Sequence, residues 1–151
     1  MRTFAVAACI AFAALAGLGG AAEKKLQVKD LPQAVQKTVN ETLKGGGVKS
    51  VSKEVEKGVI QYEVETMLNG KHRDFNVDAK GNLLVVEEEV SIESIPAAAK
   101  AAILKKVGNG KLGMVESVAE NGATSYEARY TSKAGKRAGV AVNADGSVKE
   151  D

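Results

Sequence analysis

The chain has no tryptophan, one histidine, one cysteine and two prolines. Cys9 lies inside the apolar run from Phe4 to Leu18. Arg2 ahead of that run and Gly20-Ala21-Ala22 behind it complete the pattern of a secretory signal peptide over residues 1–22. Acylation of Cys9 would leave almost no hydrophobic segment ahead of the cut. The run is rich in alanine and ends in Gly19-Gly20, whereas a membrane anchor needs roughly 20 strongly apolar residues. No stable membrane anchor is therefore expected after cleavage. With Cys9 removed, disulfides, thiol chemistry and thiolate metal sites are excluded. With His72 alone, no Ser/His/Asp or Cys/His set can be assembled, so the expected protein is not an enzyme.

Charge and aromatic content narrow the field further. The formal net charge is +2, which gives no basic footprint for nucleic acid or an anionic membrane. Beyond the leader the aromatics are Tyr62, Phe75, Tyr126 and Tyr130, too few for base-stacking platforms.

What the chain does have is turn chemistry. Asn69-Gly70 supplies the two positive-φ positions of a tight hairpin. Pairing outward from it sets Val64 opposite Phe75 and Tyr62 opposite Val77 on one face. Met67 opposite His72, Glu65 opposite Asp74 and Glu63 opposite Asn76 fall on the other, as the period of two requires. The stretch returns as Tyr126 to Gly146 with a longer loop, Lys133-Ala134-Gly135. That loop pairs Tyr126 with Val142, Ala128 with Val140 and Tyr130 with Ala138.

Each hairpin is preceded by an amphipathic stretch and a strand. Asp30 before Leu31-Pro32, and Ser94 before Ile95-Pro96, read as helix N-caps with proline in the first turn. Leu31, Ala34, Val35, Val39 and Leu43, then Ile95, Ala98, Ala99, Ala102, Ile103 and Val107, form one-sided stripes. Glycines at 45–47 and at 108 and 110 stop them. Strands are expected over Val48 to Glu56, Asn82 to Val90 and Leu112 to Glu120. Val51 and Val55 favour one facing of the first strand and Val48 the other, which allows a bulge. Asp30, Pro32, Val51, Gly58 and Tyr62 correspond to Ser94, Pro96, Val115, Gly122 and Tyr126 at a constant offset. The expected fold is α+β: two tandem repeats, residues 23–90 and 91–151, each a helix with an antiparallel sheet of about four strands. Together they form one curved sheet with both helices on one face.

The run Tyr62-Glu63-Val64-Glu65, then Gly70-Lys71, then Phe75-Asn76-Val77-Asp78 and Gly81, resembles the PepSY domain family. The Leu-Pro helix start and the tandem copies are similar to the PepSY-like group with the β-lactamase-inhibitor-protein type of fold. The resemblance implies a periplasmic or secreted, non-enzymatic module that binds or restrains another protein such as a peptidase. The chain departs from the inhibitors in lacking tryptophan and, beyond the leader, cysteine, and no binding residue carries over by motif. A structural or stress-related envelope protein without a single tight partner is the alternative.

The candidate partner-binding surface is the uncovered sheet face. It is expected to present Glu63, Glu65, His72, Asp74 and Asn76 from the first unit, and Glu127, Arg129 and Arg137 from the second. Opposed like charges at Glu65 and Asp74 destabilise a sheet by about 0.2–1 kcal/mol. A basic partner would use them, whereas splaying into water would hide them. A cation-responsive module at the same residues is a third reading. Gly108-Asn109-Gly110-Lys111-Leu112-Gly113 matches the dinucleotide fingerprint, but it leaves a helix and enters a strand, the reverse of a phosphate loop. The Asp-x-x-Gly turns and Glu87-Glu88-Glu89 lack the six to eight oxygens calcium takes. No cofactor and no metal are expected.

Overall fold

The computed structural model describes residues 26–56 and 58–149. The leader proposed for residues 1–22 lies outside them. Helix α1 spans Gln33–Thr42 and α2 spans Ala97–Val107. The strands are β1 Gly47–Glu56, β2 Val59–Leu68, β3 Lys71–Asp78, β4 Leu83–Glu89, β5 Lys111–Glu120, β6 Ala123–Thr131 and β7 Arg137–Asn143. They form one seven-stranded antiparallel sheet in chain order. Pairing of β4 with β5, from Val85↔Glu120 to Glu89↔Glu116, joins β1–β4 to β5–β7 in the middle of the sheet.

The hairpin turns fix this order locally. Asn69 and Gly70 take φ of 53° and 79°, and Leu68↔Lys71 closes the first hairpin. In the second, Gly135 takes φ 78° and its amide returns to the Ser132 carbonyl. Tyr130↔Ala138 follows in the expected register. A bulge between Val48 and Ser50 settles the facing of β1. Val51 enters the core, while Val48 and Val55 are exposed.

Both helices cover the same face, which the register shows row by row. Val64, Phe75, Val86 and Ala119 lie in one cross-strand row, and Arg73, Glu88, Ser117, Tyr126 and Val142 lie along the next. Under α1, Leu31, Val35 and Val39 pack on Val51, Tyr62, Val64, Phe75 and Val77. Under α2, Ile95, Ala99, Ile103 and Val107 pack on Val115, Ala128, Val140 and Val142. These are the helical and strand periods meeting across one interface. The buried Arg73 guanidinium ties the layers together. Its Nη1 donates to the Thr42 carbonyl of α1 at 2.6 Å, and its Nε to Glu88 Oε1 at 2.7 Å.

Two expectations are corrected. Asp30 and Ser94 do not cap the helices. Pro32 and Pro96 occupy the N-cap positions, with ψ of 145° and 141°, and their carbonyls accept from Gln36 and Lys100. A residue before proline is held extended, and Leu31 sits at φ −79°, ψ 159°, so neither helix can begin ahead of its proline. Asp30 instead accepts the Gln27 amide, and the Ser94 hydroxyl donates to the Ser91 carbonyl. The second unit, expected to hold about four strands, also shows three, β5 to β7, among the described residues. The turn at Asp145, whose carboxylate takes the Ser147 amide at 2.9 Å, leaves Val148 as a single bridge to Val142 among the described residues.

Candidate functional site

The face without helices is built from alternate residues of every strand. One row runs Ser50, Glu65, Asp74, Glu87, Val118, Ser125 and Asn143, with Asp74 taking its place opposite Glu65 from the register on either side. The next runs Met67, His72, Glu89, Glu116, Glu127 and Ala141. Six carboxylates therefore stand in two adjacent rows across β2 to β6.

This face is not uniformly wet. Val118, Glu116, Val85, Gln61, Ser125 and Glu127 are buried there, although no helix packs above them. Side chains of neighbouring strands cover one another there, as Arg129 does Glu116. Glu127, expected on the open surface, is buried.

Burial decides the charge state. Glu63 is pushed up to about 7, first by desolvation and then by the Glu54 and Glu65 carboxylates, with Ser52 pulling the other way. Glu87 is likewise pushed up to about 7 by desolvation and then by Glu116, Glu127, Asp74 and Glu63. Desolvation also raises Asp74 and Glu116, offset at Asp74 by the Thr66 amide and at Glu116 by the Arg129 cation. Arg129 Nη2 lies 3.5 Å from Glu116 Oε2, with Arg129 half exposed and Glu116 buried. At the far end of β5, Lys149 Nζ meets Glu120 Oε2 at 3.3 Å, while Glu120 Oε1 is buried without a hydrogen-bond partner.

The expected residues fall as follows. Glu63, Glu65, His72, Asp74, Asn76, Glu127 and Arg129 share this face. Arg137 stands exposed at the start of β7, opposite Thr131. Glu65 accepts from Ser50 Oγ at 2.7 Å, and Asp74 takes the Thr66 amide at 2.8 Å. The opposed pair is thus drawn apart by separate hydrogen bonds. Sequence reasoning missed Glu87, Glu89 and Glu116 as members of the face. Their signal was the alternation of Glu87 and Glu89 in a strand, read instead as part of an acidic triplet.

The remaining candidates resolve into structure. Gly108 ends α2 at φ 53°, so the glycine-rich stretch is a helix stop. Asp78 accepts the Lys80 and Asn82 amides at 2.8 and 2.9 Å, which is turn chemistry. Among the described residues, no group of histidine, cysteine and carboxylate side chains is arranged to hold a metal ion. A cleft of about 390 Å³ on the helix side runs past Thr42, Arg73 and Glu88, and the Arg73 guanidinium there already serves Thr42 and Glu88.

No known family profile matches the chain, and no curated protein does. Solved structures do. A Bacteroides eggerthii protein assigned to the periplasm superposes with a TM-score of 0.64 at 13% identity, over 80% of this chain and 86% of that one. A DUF2874 family protein from Bacteroides uniformis gives 0.62 at 12% identity, over 79% and 86%. A BLIP-like protein from Bacteroides fragilis gives 0.57 at 19% identity, over 80% and 84%. The chain therefore has a BLIP-like α+β fold. No helix among the described residues is long and apolar enough to cross a membrane.

Proposed function

We propose that the chain is a periplasmic or secreted, non-enzymatic protein-binding module, built as two PepSY-like units, whose uncovered face engages a partner carrying basic groups. The observation that carries this reading is the set of partly buried, neighbouring carboxylates on that face, where desolvation first and the adjoining carboxylates second push Glu63 and Glu87 up to about 7. A surface serving only as scaffold gains nothing from desolvated like charges, which oppose folding. A cationic partner would relieve them, and complementary charge steers association and fixes its register. The likeness to structures assigned to the periplasm and to a BLIP-like protein supports the compartment and the protein partner. A peptidase is the partner class that the family resemblance implies.

The test separates charge from folding. Asp74 serves a buried amide and Arg129 a buried carboxylate, whereas Glu65 is exposed and takes the exposed Ser50 hydroxyl, so Glu65 is the residue to reverse. Immobilised chain should retain a stoichiometric extracytoplasmic partner that elutes with salt, and Glu65→Lys should retain less of it. Retention by Glu65→Lys with the same salt dependence as the parent would remove this face as the site.

A further inference from the structure

The two edges of the sheet are finished differently. On the outer side of β7, the chain folds back as a stub. The Asn143 amide donates to the Ser147 carbonyl at 2.8 Å, the Lys149 amide donates to the Ala141 carbonyl at 2.9 Å, and Val148 bridges Val142. The outer side of β1 has no such cover among the described residues. It offers backbone donors and acceptors along Gly47–Glu56, the feature that proteins otherwise shield.

Side chains beside this edge specify what it accepts. On the uncovered face β1 carries Ser50 and Ser52, whose hydroxyls donate to Glu65 and Glu63 at 2.7 and 3.3 Å. Adjacent strands are about 4.8 Å apart, so a strand added outside β1 lies two spacings from Glu63 and Glu65. Serine is too short to block that line. A lysine or arginine on the added strand lies over it and reaches the carboxylates. On the helix side, Val48 and Val55 are exposed and offer an apolar margin that the exposed Lys53 interrupts. The edge thus asks for alternation, basic on one side and apolar on the other.

We infer that the outer edge of β1 is a strand-addition site for an extended partner segment of alternating basic and apolar residues, its basic side chains lying over Ser50 and Ser52 toward Glu63 and Glu65. A second copy of β1 fits poorly. Paired antiparallel about Ser52, it would set a further Glu54 beside Ser50 on a face already crowded with carboxylates. This inference rests on the open-face reading for its charge, and on the unpaired ladder for its backbone bonds.

The test uses a blocked peptide of alternating lysine and valine, long enough to span β1. Two further versions carry N-methyl groups on all lysine amides or on all valine amides, and a fourth replaces lysine with glutamate. The parent peptide should bind the folded chain and shift the amide resonances of residues 48–55. In an added strand only every second amide faces its neighbour. One N-methyl series should therefore bind about tenfold or more weakly, and the other within about twofold of the parent. The glutamate version should not bind. Equal binding by both N-methyl series would overturn the inference while leaving the open-face reading intact. Failure of the parent peptide to bind would overturn the inference, and the partner capture described above would still judge the face independently.

Discussion

Asp74 Oδ1 accepts the backbone amide of Thr66 at 2.8 Å, so a side chain stands in for the β2–β3 ladder at the point where its regular pairing lapses. The Thr66 hydroxyl completes the exchange by donating to the Arg73 carbonyl. Thr66 is fully buried, and an orphaned buried amide costs about 1–3 kcal/mol. Asp74→Ala is expected to lower stability by about that amount, read from the urea midpoint. Asp74→Asn keeps an acceptor and sheds a charge that opposes Glu87. It is expected to change stability by less than about 1 kcal/mol. Equal losses in both variants would show that charge, not the hydrogen bond, is what Asp74 provides.

Close approach of helix and turn makes a second, sharper expectation. A Cβ on Gly81 would sit 2.7 Å from the Ala34 carbonyl oxygen, and one on Gly146 would sit 2.7 Å from that of Ala98. Both residues also hold left-handed φ, 88° and 84°. Gly58 has a similar φ of 81° with nothing within 4 Å. Gly58→Ala should therefore cost only backbone strain, about 1 kcal/mol. Gly81→Ala should cost distinctly more, about 2–4 kcal/mol, because α1 must also move. Equal thermal shifts for the two would mean that the turn yields without disturbing the helix.

Much of this fold was readable in the residues, because its determinants are local. Asn69-Gly70 sets the first hairpin, and Gly135 absorbs the longer loop of the second. The stripes at Val35/Val39 and Ala99/Ile103 identify the faces they bury. The helix starts were misread because the extended residue enforced by each following proline outweighs the capping preference of Asp30 and Ser94. The candidate site was readable only in its hairpin part. Glu87, Glu89 and Glu116 join it through the β4–β5 register, a pairing across the middle of the chain that no turn between those strands dictates. Burial of Glu116 and Glu127 depends on side chains from neighbouring strands, which leave no signature in a short window.

That central pairing bears on cooperativity. The two apolar clusters lie under different helices, and the ladder from Val85↔Glu120 to Glu89↔Glu116 connects them. Each cluster alone is small, and small units bury too little surface to be stable independently. Native-state hydrogen exchange is expected to give similar opening free energies for the core amides of β2 and β6. Phe75→Ala, which removes a fully buried side chain at a cost of about 3–5 kcal/mol, should then lower protection in both. Protection in β6 unchanged by Phe75→Ala would mean that the halves open separately.

The carboxylates of the open face give the last expectation, in which the sign matters. Glu63 and Glu87 are raised from an ordinary 4.5 to about 7 in the folded chain, and Asp74 and Glu116 are raised as well. Between those values the folded state holds more protons than the unfolded one, so stability falls as pH rises through the window. Asp78 runs the other way. Although burial opposes it, hydrogen bonds from Asn82 and Lys80 lower it below 3.8, as bonds from Ser147 lower Asp145. Their contribution is lost only as pH drops below that range. The chain should therefore be most stable near the foot of the upper window and weaker at pH 8 by about 1–3 kcal/mol, after allowing for solvent screening of the half-exposed groups. Glu87→Gln, which cannot ionise, should flatten this slope and raise stability at pH 8 more than at pH 5. A melting temperature that rises from pH 5 to pH 8 in the parent chain would contradict the burial of these charges. It would also withdraw the crowding on which the basic-partner reading stands.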